Sequence, residues 1–195
     1  MCTVSSTTGC DTGQGTTERV VNETVQPLGR VRPTLPADIP DVVAMVHELA
    51  AYENAADQCT LTDKQLHTAL FGNDAALFGH VAEQRGQVVG FTLWFLNFST
   101  WDGVHGIHLE DLYVRPDHRR TGWGRALLDE LVEECVRNGY SRMEWSVLNW
   151  NSPAIEFYHR LGAEPMDGWS VYRLSAARLR QLAATTTTLR GEHRP

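Results

Sequence analysis

From Val31 onward, apolar residues recur with two periods, and the period assigns each element. Val31 to Thr34 is a short strand, and Pro36-Ala37-Asp38 announces a helix. In that helix Ile39, Val42, Val43, Val46, Leu49 and Ala50 recur at helical spacing to about Glu53, with Pro40 in the first turn, where proline is tolerated. Thr62 caps a second helix with Leu66, Ala69 and Leu70 on its inner face and Gly72 at its end. Leu77 to Glu83 and Val88 to Phe98 are strands around the turn signal Arg85-Gly86, which makes them a hairpin. Trp101-Asp102-Gly103 breaks the chain before a strand from Leu109 to Val114. A third helix, Gly122 to Asn138, carries Leu127, Leu131 and Cys135 on one stripe and stops at Gly139. Arg142 to Leu148 is a strand, Asn149-Trp150-Asn151 a turn, and Ser152 caps a fourth helix that ends at Gly162. Trp169 to Leu174 is a last strand. The order β-α-α-β-β-β-α-β-α-β gives an α/β protein with a mixed, partly antiparallel sheet covered by helices on both faces.

The 195 residues suffice for one domain of ordinary size plus tails. Residues 1–29, rich in Thr, Ser and Gly without apolar periodicity, read as a disordered leader. No basic segment followed by an apolar core marks them as a signal peptide. Residues 30–176 form the domain. The tail 177–195 starts helical and is expected to lose order in the run Thr185 to Thr188. A net charge of -7 argues against a nucleic-acid partner and fits a small cationic substrate. Cys2, Cys10, Cys59 and Cys135 have no zinc-ligand spacing and read as reduced thiols of a cytoplasmic protein. The scattered histidines suggest no metal site, and no apolar run is long enough to span a membrane.

The chemistry concentrates in Leu109 to Gly124, LEDLYVRPDHRRTGWG. Pro116 and Asp117 stop the strand, and Arg119 begins an Arg-x-x-Gly-x-Gly pattern closed by Gly122 and Gly124 at the start of a helix. Small residues let backbone N–H groups approach an anion, and the helix N-terminus adds its positive dipole end. Arg119, Arg120 and Arg125 add cationic charge, so the loop reads as a pyrophosphate cradle. A dinucleotide fingerprint would need a third glycine where Leu127 stands.

With Arg119-Arg120-Thr121-Gly122-Trp123-Gly124 and the segment Asn151 to Ala163, the chain resembles the GNAT acyl-CoA N-acyltransferase superfamily. Glu48 to Glu53, Leu109 to Val114 and Trp150 to Pro153 resemble its diamine branch, the spermidine/spermine and thialysine N-acetyltransferases. The likeness covers about Val31 to Leu174. The Thr/Ser-rich leader is foreign to that branch, and the turn around Trp101 to His108 looks longer than the branch's.

The resemblance implies acetyl-CoA as cosubstrate, no metal, a small amine as acceptor, direct transfer through a ternary complex, and a homodimer. Glu110 would be the base acting directly or through water, and Tyr158 would protonate the departing thiolate. The backbone of Leu112, Tyr113 and Val114 would pair with pantetheine as an added strand. Arg119, Arg120, Thr121, Gly122, Trp123, Gly124 and Arg125 would hold the pyrophosphate, and Asn151 would hydrogen-bond the pantetheine or help fix the turn before the fourth helix. Tyr52, Glu53, Trp101, Glu110 and Asp111 would line the amine site. Regular alternation sends Glu110 and Asp111 to opposite faces unless a bulge intervenes, and the family's strand carries one there. Two other readings stay open. One changes the donor to a longer acyl-CoA or the thioester of an acyl carrier protein, with an amine of specialised metabolism. The other is a non-catalytic CoA-binding sensor, against which the retained Tyr158 and Glu110 argue.

Overall fold

The computed structural model describes residues 29–191, which separate into two compact units divided between Ser146 and Val147. The leader, apart from Gly29, lies outside the described residues.

The first unit is a five-stranded sheet in the order β1-β2-β3-β4-β5: β1 Gly29–Pro33, β2 Phe78–Gln84, β3 Gln87–Ser99, β4 Val104–Val114 and β5 Met143–Glu144. The first four strands are antiparallel neighbours, and β5 joins β4 in parallel. The hairpin between β2 and β3 turns on Arg85 and Gly86, both at positive φ, a turn whose twist matches the flanking strands. Helix α1 (Ile39–Tyr52) and helix α2 (Asp63–Phe71) cover one face, where Ile39, Val42, Met45 and Leu66 pack on Val81, Phe91, Leu93 and Tyr113. Helix α3 (Trp123–Asn138) covers the other, with Leu127 against Ala82, Val89 and Val114. Adjacent residues Val81 and Ala82 serve opposite faces, as the pleat requires. Arg32 of β1 reaches both carboxylate oxygens of Asp38 at 2.6 and 2.9 Å and Glu83 at 2.7 Å, which fixes the entry into α1.

The predicted ends of α2 and α3 are present. Thr62 and Gln65 form a reciprocal capping box, and Gly139 closes α3 at a φ of 67°. The strand predicted over Arg142 to Leu148 shrinks to Met143–Glu144.

In the second unit, helix α4 (Ser152–Arg160) is capped not by Ser152 but by Asn151, whose side-chain oxygen accepts from the Ala154 N–H at 3.4 Å; Ser152 is the first helical residue. The last strand, Trp169 to Leu174, does not form. A strand exists through a partner's hydrogen bonds, and no described residue pairs with this segment; Val171 and Tyr172 are 87% and 94% exposed. Helix α5 (Ala176–Gly191) runs through the threonine tract, where loss of order was expected. The Thr185 hydroxyl donates to the Gln181 carbonyl one turn back at 3.1 Å, so the side chain finds its partner within the helix.

Candidate active site

Strand β4 carries the site because its ladder slips once. Leu93 pairs with Asp111 and the next residue, Trp94, with Leu109, so Glu110 is the extra residue of a β-bulge. Asp111 shares the face of Leu93, the side covered by α1. His108, opposite Phe95, takes the same face by alternation and stacks on the Phe95 ring at 4.8 Å. The Glu110 carboxylate lies 3.9 Å from His108 Nε2. The bulge therefore brings His108, Glu110 and Asp111 to one face.

The two carboxylates differ. The Glu110 side chain is 58% exposed, whereas Asp111 is half-buried and its carboxyl is pushed up to about 6, first by desolvation and then by the negative charges of Glu110 and Glu53. Glu53 caps the C-terminal end of α1, where partial desolvation raises its own carboxyl. Among the described residues Asp111 has no cationic partner. A half-buried carboxylate held among two others is what a substrate ammonium would neutralise.

Beside these groups, the outer edge of β4 is open. Pairing with β5 covers only Ile107 and His108. The Arg115 N–H donates to the Val89 carbonyl at 2.9 Å, so Arg115 and Tyr113 turn their backbone groups toward β3, and Leu112 and Val114 turn theirs outward. Of the three residues expected to offer backbone to a ligand, Leu112 and Val114 are on the edge. Tyr113 instead sends its ring toward α1 and donates its hydroxyl to Glu48 at 3.1 Å.

The loop after β4 has the conformation of an anion cradle. Arg120 and Gly122 both have positive φ, 62° and 96°. A methyl group at Gly122 would meet nothing within 4 Å, so that glycine serves the backbone angle and close approach from outside rather than packing. Helix α3 starts at Trp123 without a side-chain cap and without an acidic residue in its first turn, leaving amide N–H groups for an incoming anion. These observations fit a pyrophosphate. Thr121 donates its hydroxyl to the His118 carbonyl at 2.6 Å and closes the turn, and Trp123 packs on the core beneath α3. Arg125 pairs with Asp129 at 2.6 Å, and Arg120 is exposed.

Other expected residues fall elsewhere. Trp101 sits in the turn between β3 and β4, 87% exposed. With Ser99 opposite Val104, that turn lies roughly 20 Å along β4 from Asp111, so it is not brought to the carboxylates. Tyr52, at the end of α1, lies against Arg119. In the second unit Tyr158 is half-buried in α4, and desolvation pushes its phenol up to about 12. At that value the phenol stays protonated at any working pH. Sequence reasoning missed His108 and Phe95. Their signal was period-two alternation upstream of Glu110, concealed by the bulge.

The chain matches the Acetyltransferase (GNAT) family over residues 43–163. It belongs to that family. Thialysine N-epsilon-acetyltransferase of Bos taurus is 31% identical to it over 78% of this chain and 96% of the relative. L-ornithine N5-acetyltransferase of Arabidopsis thaliana is 26% identical over 80% and 88%. The integron cassette protein VCH_CASS6 from V. cholerae shares the fold at a TM-score of 0.68 and 21% identity, over 80% of this chain and 98% of that one. The chain is thus a GNAT N-acetyltransferase whose curated relatives match the expected diamine branch. Among the described residues no cluster could hold a metal ion, and no helix is long and apolar enough to cross a membrane.

Proposed function

We propose that this acetyltransferase moves an acetyl group from acetyl-CoA to a primary amine of a small cationic substrate, such as a diamine, polyamine or thialysine-like amino acid, by direct transfer in a ternary complex. The observation that carries the reading is Asp111, half-buried without a cationic partner and flanked by Glu110 and Glu53 beside an open strand edge. Acetyl-CoA supplies an acetyl group already activated as a thioester. Leu112 and Val114 offer outward backbone groups to pantetheine, and the loop Arg120 to Gly124 with the start of α3 receives the pyrophosphate. Asp111 and Glu53 hold the ammonium. An alkylammonium has a pKa near ~10, so it must lose a proton before attacking, and Glu110, exposed beside His108, takes that proton directly or through water. Tyr158 supplies a proton to the departing thiolate, and Asn151 hydrogen-bonds the pantetheine. A homodimer, implied by the resemblance, is the expected assembly.

The test is thiol release from acetyl-CoA against a panel of diamines, polyamines and ω-amino amino acids, beside calorimetric binding of CoA. Turnover should require a cationic amine. CoA binding without turnover on any amine would support a sensor instead, and turnover only with longer acyl-CoA or carrier-protein thioesters would replace the donor.

A further inference from the structure

Arg119, the first residue of the cradle loop, is exposed but folds back over the end of β4. Its Nε donates to the Val114 carbonyl at 2.8 Å, on the outward edge of β4. Its guanidinium carbon lies 5.4 Å from the centre of the Tyr52 ring and 5.3 Å from that of Tyr113, within the range of cation–π attraction. Tyr113 in turn donates to Glu48 one turn before Tyr52, and Arg115 Nε reaches the other Glu48 oxygen at 3.4 Å. Three elements meet here: the last turns of α1, the end of β4 and the start of the loop. The residue after Tyr52 is Glu53, and the residue two before Tyr113 is Asp111.

We propose that Arg119 is a positioning residue that fastens the end of α1 to the end of β4, so that the cradle loop and the carboxylates of the amine site are mechanically coupled. An arginine that held a phosphate would aim its fork of N–H groups at the ligand. Arg119 instead lays its planar face near two rings while its Nε–H donates to a backbone carbonyl, a combination that one lysine ammonium does not reproduce. Movement of the loop is thereby transmitted to Glu53 and Asp111. The consequence for catalysis rests on the acetyl-transfer reading, whereas the fastening itself does not.

The test is Arg119→Lys, which keeps the charge. Amide hydrogen exchange should accelerate ~10-fold at residues 49–53 and 112–114, as expected when about one hydrogen bond and weak ring contacts are lost locally. The KM for the amine should rise with kcat less affected. Pantetheine, which lacks phosphates, should lose affinity by the same factor as CoA. Unchanged exchange, with affinity lost for CoA but not for pantetheine, would make Arg119 a phosphate ligand and overturn the proposal. Should Arg119→Lys fail to fold, Tyr52→Leu removes one ring and leaves the charge. It should speed exchange at 112–114 and lower the affinities for CoA and pantetheine by a common factor, and protection equal to the wild type would overturn the proposal too. A wild-type protein inert on every amine would sink the functional reading alone, because the exchange measurement needs no turnover.

Discussion

Replacing Asp111 by Asn should make the protein more stable at pH 8 and worse at binding its amine. The magnitude follows from the carboxyl's position. Burial and two neighbouring carboxylates move it from an ordinary 3.8 up to about 6. At ~1.36 kcal/mol per unit, the ionised form costs the fold at most ~3 kcal/mol when the pH is well above 6. The sign is the reverse of the usual carboxylate case. The folded state holds the proton more tightly than the unfolded state, so the penalty is complete above about pH 6 and fades as the pH falls toward the unfolded value. Asn keeps the shape and never ionises. Its advantage should reach up to ~3 kcal/mol at pH 8 and stay below ~1 kcal/mol at pH 4. For a chain of this size that is roughly 6–12 °C in melting temperature at pH 8. Scanning calorimetry of both proteins at the two pH values is the assay, with amine KM measured beside it. An Asn variant no more stable at pH 8, or equally stabilised at both pH values, would show that Asp111 is not held out of its preferred state. The argument for an ammonium site would then lose its physical basis.

Three further outcomes can be checked. Gly124→Asp places a carboxylate in the first turn of α3, where the amide groups await an anion, and should abolish CoA binding in calorimetry while far-UV circular dichroism stays unchanged. Tyr158→Phe should lower kcat near the lower end of the about 10²–10⁴-fold range of general-acid effects, with acetyl-CoA binding kept, because a phenol at about 12 is a reluctant donor; rapid-quench kinetics would measure it. His80 is 8% exposed beneath α3, accepts from the Trp94 indole at 3.3 Å and is held below 6.5 by burial, despite Glu130 and Glu134 nearby. Its contribution to stability is whole above pH 6.5 and lost as the pH falls below it, so thermal scans at pH 7.5 and 5.5 should show a smaller acid loss in His80→Gln.

What the sequence disclosed and what it withheld divide along one physical line. Elements whose stability is local were legible. Thr62 with Gln65, Gly139, and the Arg85-Gly86 turn each determine their own backbone, and each stands where the pattern put it. The strand at Trp169 to Leu174 was not legible, because alternation reports a willingness to pair and says nothing of a partner. The tail was expected to start helical and to lose order at Thr185, and α5 extends from Ala176 to Gly191: a polar run with weak propensity closes backbone bonds once a helix has been nucleated ahead of it.

The site follows the same division. Backbone chemistry around Gly122 could be read directly, since a glycine pattern and a positive φ are two descriptions of one requirement. Side-chain roles could not. Two adjacent carboxylates in a strand are ambiguous until the register is known, and a single extra residue at Glu110 decides it. The bulge turns an alternating pair into a cluster, leaves Glu110 in contact with solvent, and gives the desolvated place to Asp111. Exposure lets Glu110 exchange protons with water, while burial among like charges makes Asp111 a place where a cation gains most. The same fold feature thus separates an exposed carboxylate from a desolvated one, and a regular ladder at the same sequence would have sent one of the two to the face covered by α3.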